Sequence, residues 1–116
     1  MALDLRQRLK HYAVRIVRMY AALPKSAEAQ VIGKQILRSG TSVGAQYCEA
    51  TRARSRAEFT SKIDSALQEL EETRYWIELL IDAAVVKSKR LKPLLTETTE
   101  LNAILTSSSK TAKSNG

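Results

Sequence analysis

Apolar residues recur every three to four positions along most of the chain, which is the period of an amphipathic α-helix. In the first segment, about residues 3–22, the repeating apolar positions are Leu5, Leu9, Tyr12, Ala13, Ile16, Val17 and Tyr20. The opposite side carries a basic stripe of Arg8, His11, Arg15 and Arg18. Leu23-Pro24 predicts the end of this helix, because a residue before proline is displaced from the α region.

The second segment, about residues 27–53, carries two apolar stripes on one predicted helix, and Ser26 is expected to cap its start. One stripe has ordinary core residues: Ile32, Ile36, Val43, Tyr47 and Ala50. The other is mostly small: Gly33, Leu37, Gly40, Gly44, Cys48 and Thr51. A glycine costs a helix about 1 kcal/mol relative to alanine. We therefore expect close helix packing at Gly40 and Gly44, either within the bundle or between subunits.

A capping box, Ser55-Arg56-Ala57-Glu58, predicts the start of a third helix over about residues 56–85. Its predicted core face is Phe59, Ile63, Ala66, Leu67, Leu70, Ile77, Ile81 and Ala84. Its predicted acidic face is Asp64, Glu71, Glu78 and Asp82. A fourth helix is expected over about residues 89–106, capped by Ser88, and the polar residues 107–116 are predicted to form a disordered tail.

Four amphipathic helices with short connections predict an all-α fold, an antiparallel up-down-up-down four-helix bundle over residues 1–106. Helices two and three are the longest predicted elements. They are expected to form a hairpin against which the two shorter helices pack.

The charge of the chain is divided unevenly along its 116 residues, with a total of +7. Residues 1–56 contain eleven Lys/Arg and three acidic residues, residues 57–86 two and seven, and residues 87–116 six and two. The net charges are therefore +8, −5 and +4. Two interpretations stay open: solvated helix faces of opposite sign packed side by side, or a basic surface for nucleic acid.

The cellular setting is predicted from what the sequence does not contain. No run approaches the roughly 18 apolar residues of a membrane span, and charges interrupt the N-terminal apolar positions, unlike a signal peptide. A single cysteine cannot form an internal disulfide. We expect a cytoplasmic protein with no membrane partner and no cofactor.

The segment Gly40-Thr41-Ser42-Val43-Gly44-Ala45 invites comparison with a phosphate-binding loop. Such a loop follows a strand and carries a lysine before Ser/Thr, and this segment has neither. Nucleophilic catalysis would need a base beside Ser or Cys48, but the only histidine, His11, lies on the outward stripe. The acidic residues Glu69, Glu71 and Glu72 are expected to be solvated or salt-bridged, because a di-iron bundle site requires Glu-x-x-His pairs. No catalytic or metal site is predicted.

Arginines are the remaining candidates for ligand binding. Arg52, Arg54 and Arg56 lie between helices two and three, where they are either solvated and paired with Glu49 and Glu58 or in contact with phosphate. No aromatic residues are interleaved for base stacking, so binding would be directed to the backbone and weakly sequence-specific. The six nucleic-acid-binding candidates are Arg8, Arg15, Arg18, Arg52, Arg54 and Arg56.

The stretch from Lys34 to Leu80 resembles the bacterial S23-type four-helix bundle proteins, some of which are encoded by intervening sequences in 23S rRNA genes. The matching residues are Arg38, Ser39, Gly40, Thr41, Ser42, Val43, Gly44, Ala45, Glu49, Ala50, Arg52, Ala53, Ser55, Glu58, Phe59, Glu69, Glu72, Thr73, Tyr75 and Trp76. Gln46 departs from the asparagine usual in the family. With the N-terminal helix, the resemblance covers about residues 3–106.

The resemblance implies mostly architecture. The family is similar to the accessory protein of diversity-generating retroelements, a pentameric barrel of four-helix bundles that binds nucleic acid and a reverse transcriptase through a basic surface. We therefore expect a non-enzymatic, ring-like homo-oligomer, with a pentamer favoured. Trp76 and Leu80 are the candidate interface residues. RNA or DNA binding, possible service to a reverse transcriptase or an rRNA-associated element, and a separate protein partner stay open.

Overall fold

The computed structural model describes residues 4–115, which form four helices. These are α1 (Leu5–Ala21), α2 (Ala27–Thr51), α3 (Arg56–Asp82) and α4 (Ser88–Ser114). Each helix packs on its neighbour in the chain, and α4 also contacts α1. The α2–α3 interface is the most extensive, as the predicted hairpin required. The all-α four-helix prediction is confirmed; its proposed start at residue 3 and the final Gly116 lie outside the described residues.

Side-chain hydrogen bonds between neighbouring helices define their relative direction. The pairs are Arg38–Glu72 and Glu49–Lys62 between α2 and α3, and Glu71–Asn102 and Asp64–Ser109 between α3 and α4. In each interface the residue number rises along one helix as it falls along the other. The neighbouring helices therefore run antiparallel, and the molecule is elongated, with principal extents of 47 × 29 × 20 Å.

The helix starts are set by side-chain caps. The Ser26 and Ser55 hydroxyls accept from the backbone amides of Ala29 and Glu58, as predicted. The box at Ser55 is only half formed, because the Glu58 carboxylate accepts from the amide of Arg54. The sequence reasoning overlooked a complete capping box at Asp4, whose carboxylate accepts from the Gln7 amide at 2.8 Å. Ser88 is not a cap: it is the first residue of α4 and follows Lys87, which makes no side-chain cap bond.

Helix α3 is terminated by an alanine that has an unusual backbone conformation. Ala84 has a φ of 56°, in the left-handed region that normally favours glycine. The amide of Val85 donates to the Leu80 carbonyl, and the amide of Ala84 donates to that of Ile81. This is the Schellman pattern of helix termination. It ends α3 at Asp82, three residues earlier than predicted.

The core runs the length of the bundle and is mostly aliphatic, but it also contains paired hydroxyl groups. Its largest fully buried side chains include Tyr12, Ile16, Ile36, Ile63, Leu70, Ile77 and Leu101. The Tyr12 and Thr98 hydroxyls lie 2.6 Å apart, and Thr98 also donates to the Leu94 carbonyl. Burial raises the pKa of Tyr12 to about 12. This pairing keeps both buried hydroxyls hydrogen-bonded, which avoids the cost of burying an unsatisfied polar group.

The fourth helix differs from its prediction. Residues 107–116 were expected to be a disordered tail, but α4 stays helical through Ser114. Ser109 is buried, and its hydroxyl donates to Asp64 at 2.8 Å; Lys113 reaches the other oxygen of that carboxylate at 3.1 Å. The polar composition misled the prediction, because this end of α4 is held by polar contacts to α3. At 27 residues α4 equals α3 in length.

The glycine stripe of α2 faces α1. An alanine Cβ at Gly40 would lie 2.8–3.0 Å from three side-chain atoms of Ile16, well inside normal carbon–carbon contact. Gly33 is similarly crowded by Leu23 and Tyr20. A Cβ at Gly44 would lie 3.7 Å from Leu9, at ordinary contact distance. Close packing within the bundle therefore requires glycine at Gly40, whereas Gly44 leaves room for a methyl group.

Candidate interaction surfaces

Many of the motif residues of α2 and α3 converge on one interhelical network. Arg38 donates to Glu72 and, at 3.2 Å, to Glu69. Glu72 also accepts from the indole of Trp76 at 3.1 Å, and the Trp76 and Arg38 hydrogen bonds together lower the pKa of Glu72. The motif thus has a structural role in joining α2 to α3.

A second part of the same motif is buried beneath this network. The Ser39 and Thr73 hydroxyls are fully buried and lie 2.7 Å apart. Each also lies within hydrogen-bonding distance of a carbonyl in its own helix, those of Gln35 and Glu69. The Arg38-Ser39-Gly40 tripeptide therefore contributes a surface ion pair, a buried hydroxyl pair and a close helix contact in succession.

The proposed interface residues occupy different environments. Leu80 has 0% exposure and belongs to the core, so it cannot be an interface anchor; this prediction was wrong. The apolar surface of α3 is broad, and the sequence did not show that Leu80 continues the buried series from Ile77. Trp76 is half-buried and tied to Glu72. The sequence reasoning missed Tyr75 as a surface candidate, although it is 59% exposed and packs edge-on against Trp76 at 5.1 Å.

Arg8, one of the six candidate arginines, is already paired within the chain. Its guanidinium donates to both carboxylate oxygens of Glu97, at 2.9 and 2.7 Å, and approaches Glu100 at 3.5 Å. These hydrogen bonds raise the pKa of Arg8 and hold that of Glu97 below its usual range. Arg8 therefore joins α1 to α4, and an external phosphate would have to compete with Glu97 for its guanidinium.

Arg15 and Arg18 line a groove to which basic side chains at the start of α4 also contribute. The groove, about 780 Å³ in volume, is formed by the end of α1, the α1–α2 loop, the α3–α4 loop and the start of α4. Lys87 and Arg90 line it with Arg15 and Arg18, and none of the described lining residues is acidic. Its apolar lining includes Leu23, Pro24, Val85, Val86, Leu91 and Leu94. We call this the basic groove.

Lys87 and Arg90 were not among the residues predicted to bind a ligand. The run Lys87-Ser88-Lys89-Arg90-Leu91-Lys92 was the available signal. This run contributes to the groove only because α4 contacts α1. That contact joins residues more than 70 positions apart, so local spacing in the sequence does not predict it.

The other three arginines lie at the opposite end of the bundle. Arg52 and Arg54 follow α2 and are exposed, and Arg56 donates to the backbone carbonyl of Asn115. Ile16, which is next to Arg15, packs at Gly40. Arg52 lies twelve residues beyond Gly40, about 18 Å further along the bundle at 1.5 Å per residue. The six arginines therefore do not form one surface.

Within residues 4–115, no three His, Cys, Asp or Glu side chains form a cluster able to hold a metal ion. His11 is exposed and Cys48 is a half-buried free cysteine. Among the described helices, none is long and apolar enough to cross a membrane. The Gly40–Ala45 segment is the interior of a continuous helix and has no loop amides with which to hold phosphate.

Comparison with known proteins decides the family. Residues 1–107 match the model of the 23S rRNA-intervening sequence protein family. The chain belongs to this family. A crystal structure of a Bacteroides thetaiotaomicron protein, described as an S23 ribosomal protein family member of unknown function, matches with a TM-score of 0.85 and 42% identity. The match covers 90% of this chain and 97% of that one. No curated protein matches the chain.

The family resemblance read from the Arg38–Ala45 and Glu69–Trp76 motifs is thus confirmed. The B. thetaiotaomicron relative has no assigned function, and neither comparison indicates an enzyme family. Membership in the 23S rRNA-intervening sequence protein family fixes the helical architecture and leaves the activity to be argued from the surfaces.

Proposed function

We propose that this member of the 23S rRNA-intervening sequence protein family is a non-enzymatic interaction protein that assembles into a ring-like homo-oligomer, with a pentamer favoured by the resemblance. The observation that supports this proposal is that some basic side chains have no carboxylate partner within the same chain. Arg8, Arg38, Lys62 and Lys113 are paired with carboxylates on neighbouring helices. Within residues 4–115, the four cations of the basic groove have no carboxylate at salt-bridge distance.

Self-assembly accounts for this pattern because the same chain also carries an acidic segment of net charge −5, residues 57–86. Oppositely charged surfaces on identical molecules attract one another and select the orientation in which they meet. Exposed apolar residues on the outer helix faces, Val17 and Tyr75 among them, supply area whose burial stabilises the contact.

The experiment is a mass measurement in solution. Light scattering after size-exclusion chromatography of the 12.9 kDa chain should give an integral multiple of that mass, about 65 kDa for five copies. Raising the salt concentration should weaken assembly, since exposed charges are screened beyond about 10 Å at 0.1 M salt. A strict monomer at micromolar concentration refutes the proposal.

Nucleic-acid binding is the second candidate, and the clustering of Arg15 and Arg18 with Lys87 and Arg90 favours it. Binding of this kind would contact phosphates and fall steeply with added salt. Replacing Arg15 and Arg18 by glutamine should weaken RNA or DNA binding. The matched change at the other end, Arg52→Gln with Arg54→Gln, should have little effect. No binding at low salt, or a flat salt dependence, removes this candidate.

A further inference from the structure

We propose that the basic groove of one subunit receives the outward face of α3 from a second copy of the chain. This inference rests on the proposed self-assembly and names the two surfaces that meet. The inserted element is a stripe of α3 residues spaced three and four apart, which we call the acidic stripe: Gln68, Glu71, Tyr75, Glu78 and Asp82.

The composition of the groove restricts its occupant. The four cations at the groove favour an occupant with negative charge. The apolar residues between them favour an occupant that also has an apolar surface to bury. A nucleic-acid strand would supply the charge through its phosphates, but phosphates leave the apolar lining without an apolar partner, and no aromatic side chain lines the groove to stack with bases. The groove is open to solvent, and its volume of about 780 Å³ leaves room for several side chains of a helix.

The acidic stripe provides the complementary chemistry. All five of its residues are exposed, and three are carboxylates. Tyr75 lies at its centre and contributes an aromatic ring that is 59% exposed; tyrosine is among the residues that most often carry interface energy. Asp82 has no basic partner at salt-bridge distance within residues 4–115, and Glu78 has only Arg74, at 3.8 Å.

The placement of the two surfaces determines the type of assembly. The basic groove is lined by the end of α1, the start of α4 and the two loops beside them, whereas the acidic stripe lies on α3 and ends at Asp82, just before the α3–α4 loop. Each subunit thus carries two different surfaces, and a contact between them is heterologous. Repetition of a heterologous contact closes into a ring when the rotation allows it, and otherwise extends into a filament. The inferred contact therefore provides a physical route to a ring.

Two double variants test the contact by complementation. The groove variant, Arg18→Glu with Arg90→Glu, keeps the acidic stripe intact. The stripe variant, Tyr75→Ala with Asp82→Lys, keeps the groove intact. None of these four side chains makes a side-chain hydrogen bond or salt bridge within residues 4–115, so both variants should fold, which circular dichroism checks.

Each variant alone should lose the wild-type assembly and have the 12.9 kDa mass of one chain. An equimolar mixture at high micromolar concentration should contain a one-to-one dimer of twice that mass, because one intact groove then meets one intact stripe. The control variant, Arg52→Glu with Arg54→Glu, makes the same charge change at the opposite end and should assemble like the wild type.

The outcomes separate the two proposals. A monomeric wild-type chain overturns self-assembly itself. An assembled wild type whose double variants keep the full mass overturns only the contact inferred here, as does a mixture of monomeric variants that stays monomeric. A groove variant that still assembles but loses RNA binding also overturns this contact, and assigns the groove to nucleic acid.

Discussion

The two central glycines of α2 should respond in opposite ways to alanine. At Gly40 a new Cβ would lie 2.8, 2.9 and 3.0 Å from Cγ1, Cδ1 and Cγ2 of Ile16. Carbon atoms normally pack at about 3.5–4.0 Å, and Ile16 is fully buried. Because both γ carbons of Ile16 are too close, moving its terminal methyl group alone cannot relieve the crowding, and we expect α1 to move away from α2.

The magnitude for Gly40→Ala follows from two opposing effects. Overpacking of a core contact costs about 1–3 kcal/mol, while replacing a helical glycine by alanine returns up to about 1 kcal/mol. We expect a net loss of about 1–2 kcal/mol in the free energy of unfolding. Gly44→Ala is the matched control in the same helix. Its Cβ would meet Leu9 at 3.7 Å, so helix propensity should dominate and stabilise the protein by about 0.5–1 kcal/mol.

Urea denaturation followed by far-UV circular dichroism, at one protein concentration, measures both variants. The two should differ by about 2 kcal/mol, which corresponds to roughly 8 °C in Tm for a domain of this size. If Gly40→Ala is as stable as Gly44→Ala, the close approach of Ile16 to Gly40 does not control the packing of α1 on α2.

Three further changes test other local features. Ala84→Gly should stabilise the protein by about 0.5–1 kcal/mol in thermal unfolding, since glycine relieves the left-handed backbone at φ 56° at some cost in unfolded-state entropy; no gain would contradict the Schellman geometry. Tyr12 has a pKa of about 12, above the ordinary value of 10, so its stabilising effect is complete below pH 10 and is lost as the pH rises through 12. The stability advantage of wild type over Tyr12→Phe should therefore shrink by about 1 kcal/mol between pH 9 and 11, and an advantage that stays constant over this range would contradict the burial of the Tyr12 hydroxyl. Arg8→Met should lower the free energy of unfolding by about 1 kcal/mol at pH 7, because it leaves Glu97 unpaired. Since pairing lowers the pKa of Glu97, this loss should fade in acid titrations as the pH drops below 4.5, the ordinary pKa of glutamate. A loss that stays constant with pH would exclude the pairing.

The helices were predictable where a single local rule decided the structure. Hydroxyl caps at Ser26 and Ser55 and the proline at position 24 gave three of the boundaries closely, since each depends on residues within one turn. The C-terminal end of α4 was missed because Ser109 and Lys113 are held by Asp64, 45 and 49 positions away. Long-range polar contacts of this kind leave no local periodicity in the sequence.

The surfaces were less predictable than the helices for the same reason. Arg8 and Arg18 cannot be told apart by their positions on the basic stripe of α1. In the structure, however, Arg8 is paired with Glu97, whereas Arg18 lines the basic groove. Tyr75 and Trp76 are adjacent in sequence, but Trp76 is half-buried and hydrogen-bonded to Glu72, whereas Tyr75 is 59% exposed. A charge or an aromatic ring becomes a candidate contact only after the intramolecular pairs have been assigned.

That assignment also changes what the family motif implies. Arg38, Ser39 and Gly40 look like a ligand-binding signature, yet each already contacts a partner inside the chain. A motif whose polar atoms are already paired has little left to offer a ligand, because a new bond would first have to break an existing one. Arg15, Arg18, Lys87, Arg90 and Asp82 are among the residues that have no salt-bridge partner within residues 4–115, and three of these five lie outside the motif and the basic stripe. Function in this molecule is therefore better sought in the basic groove and the acidic stripe than in the segment that identifies its family.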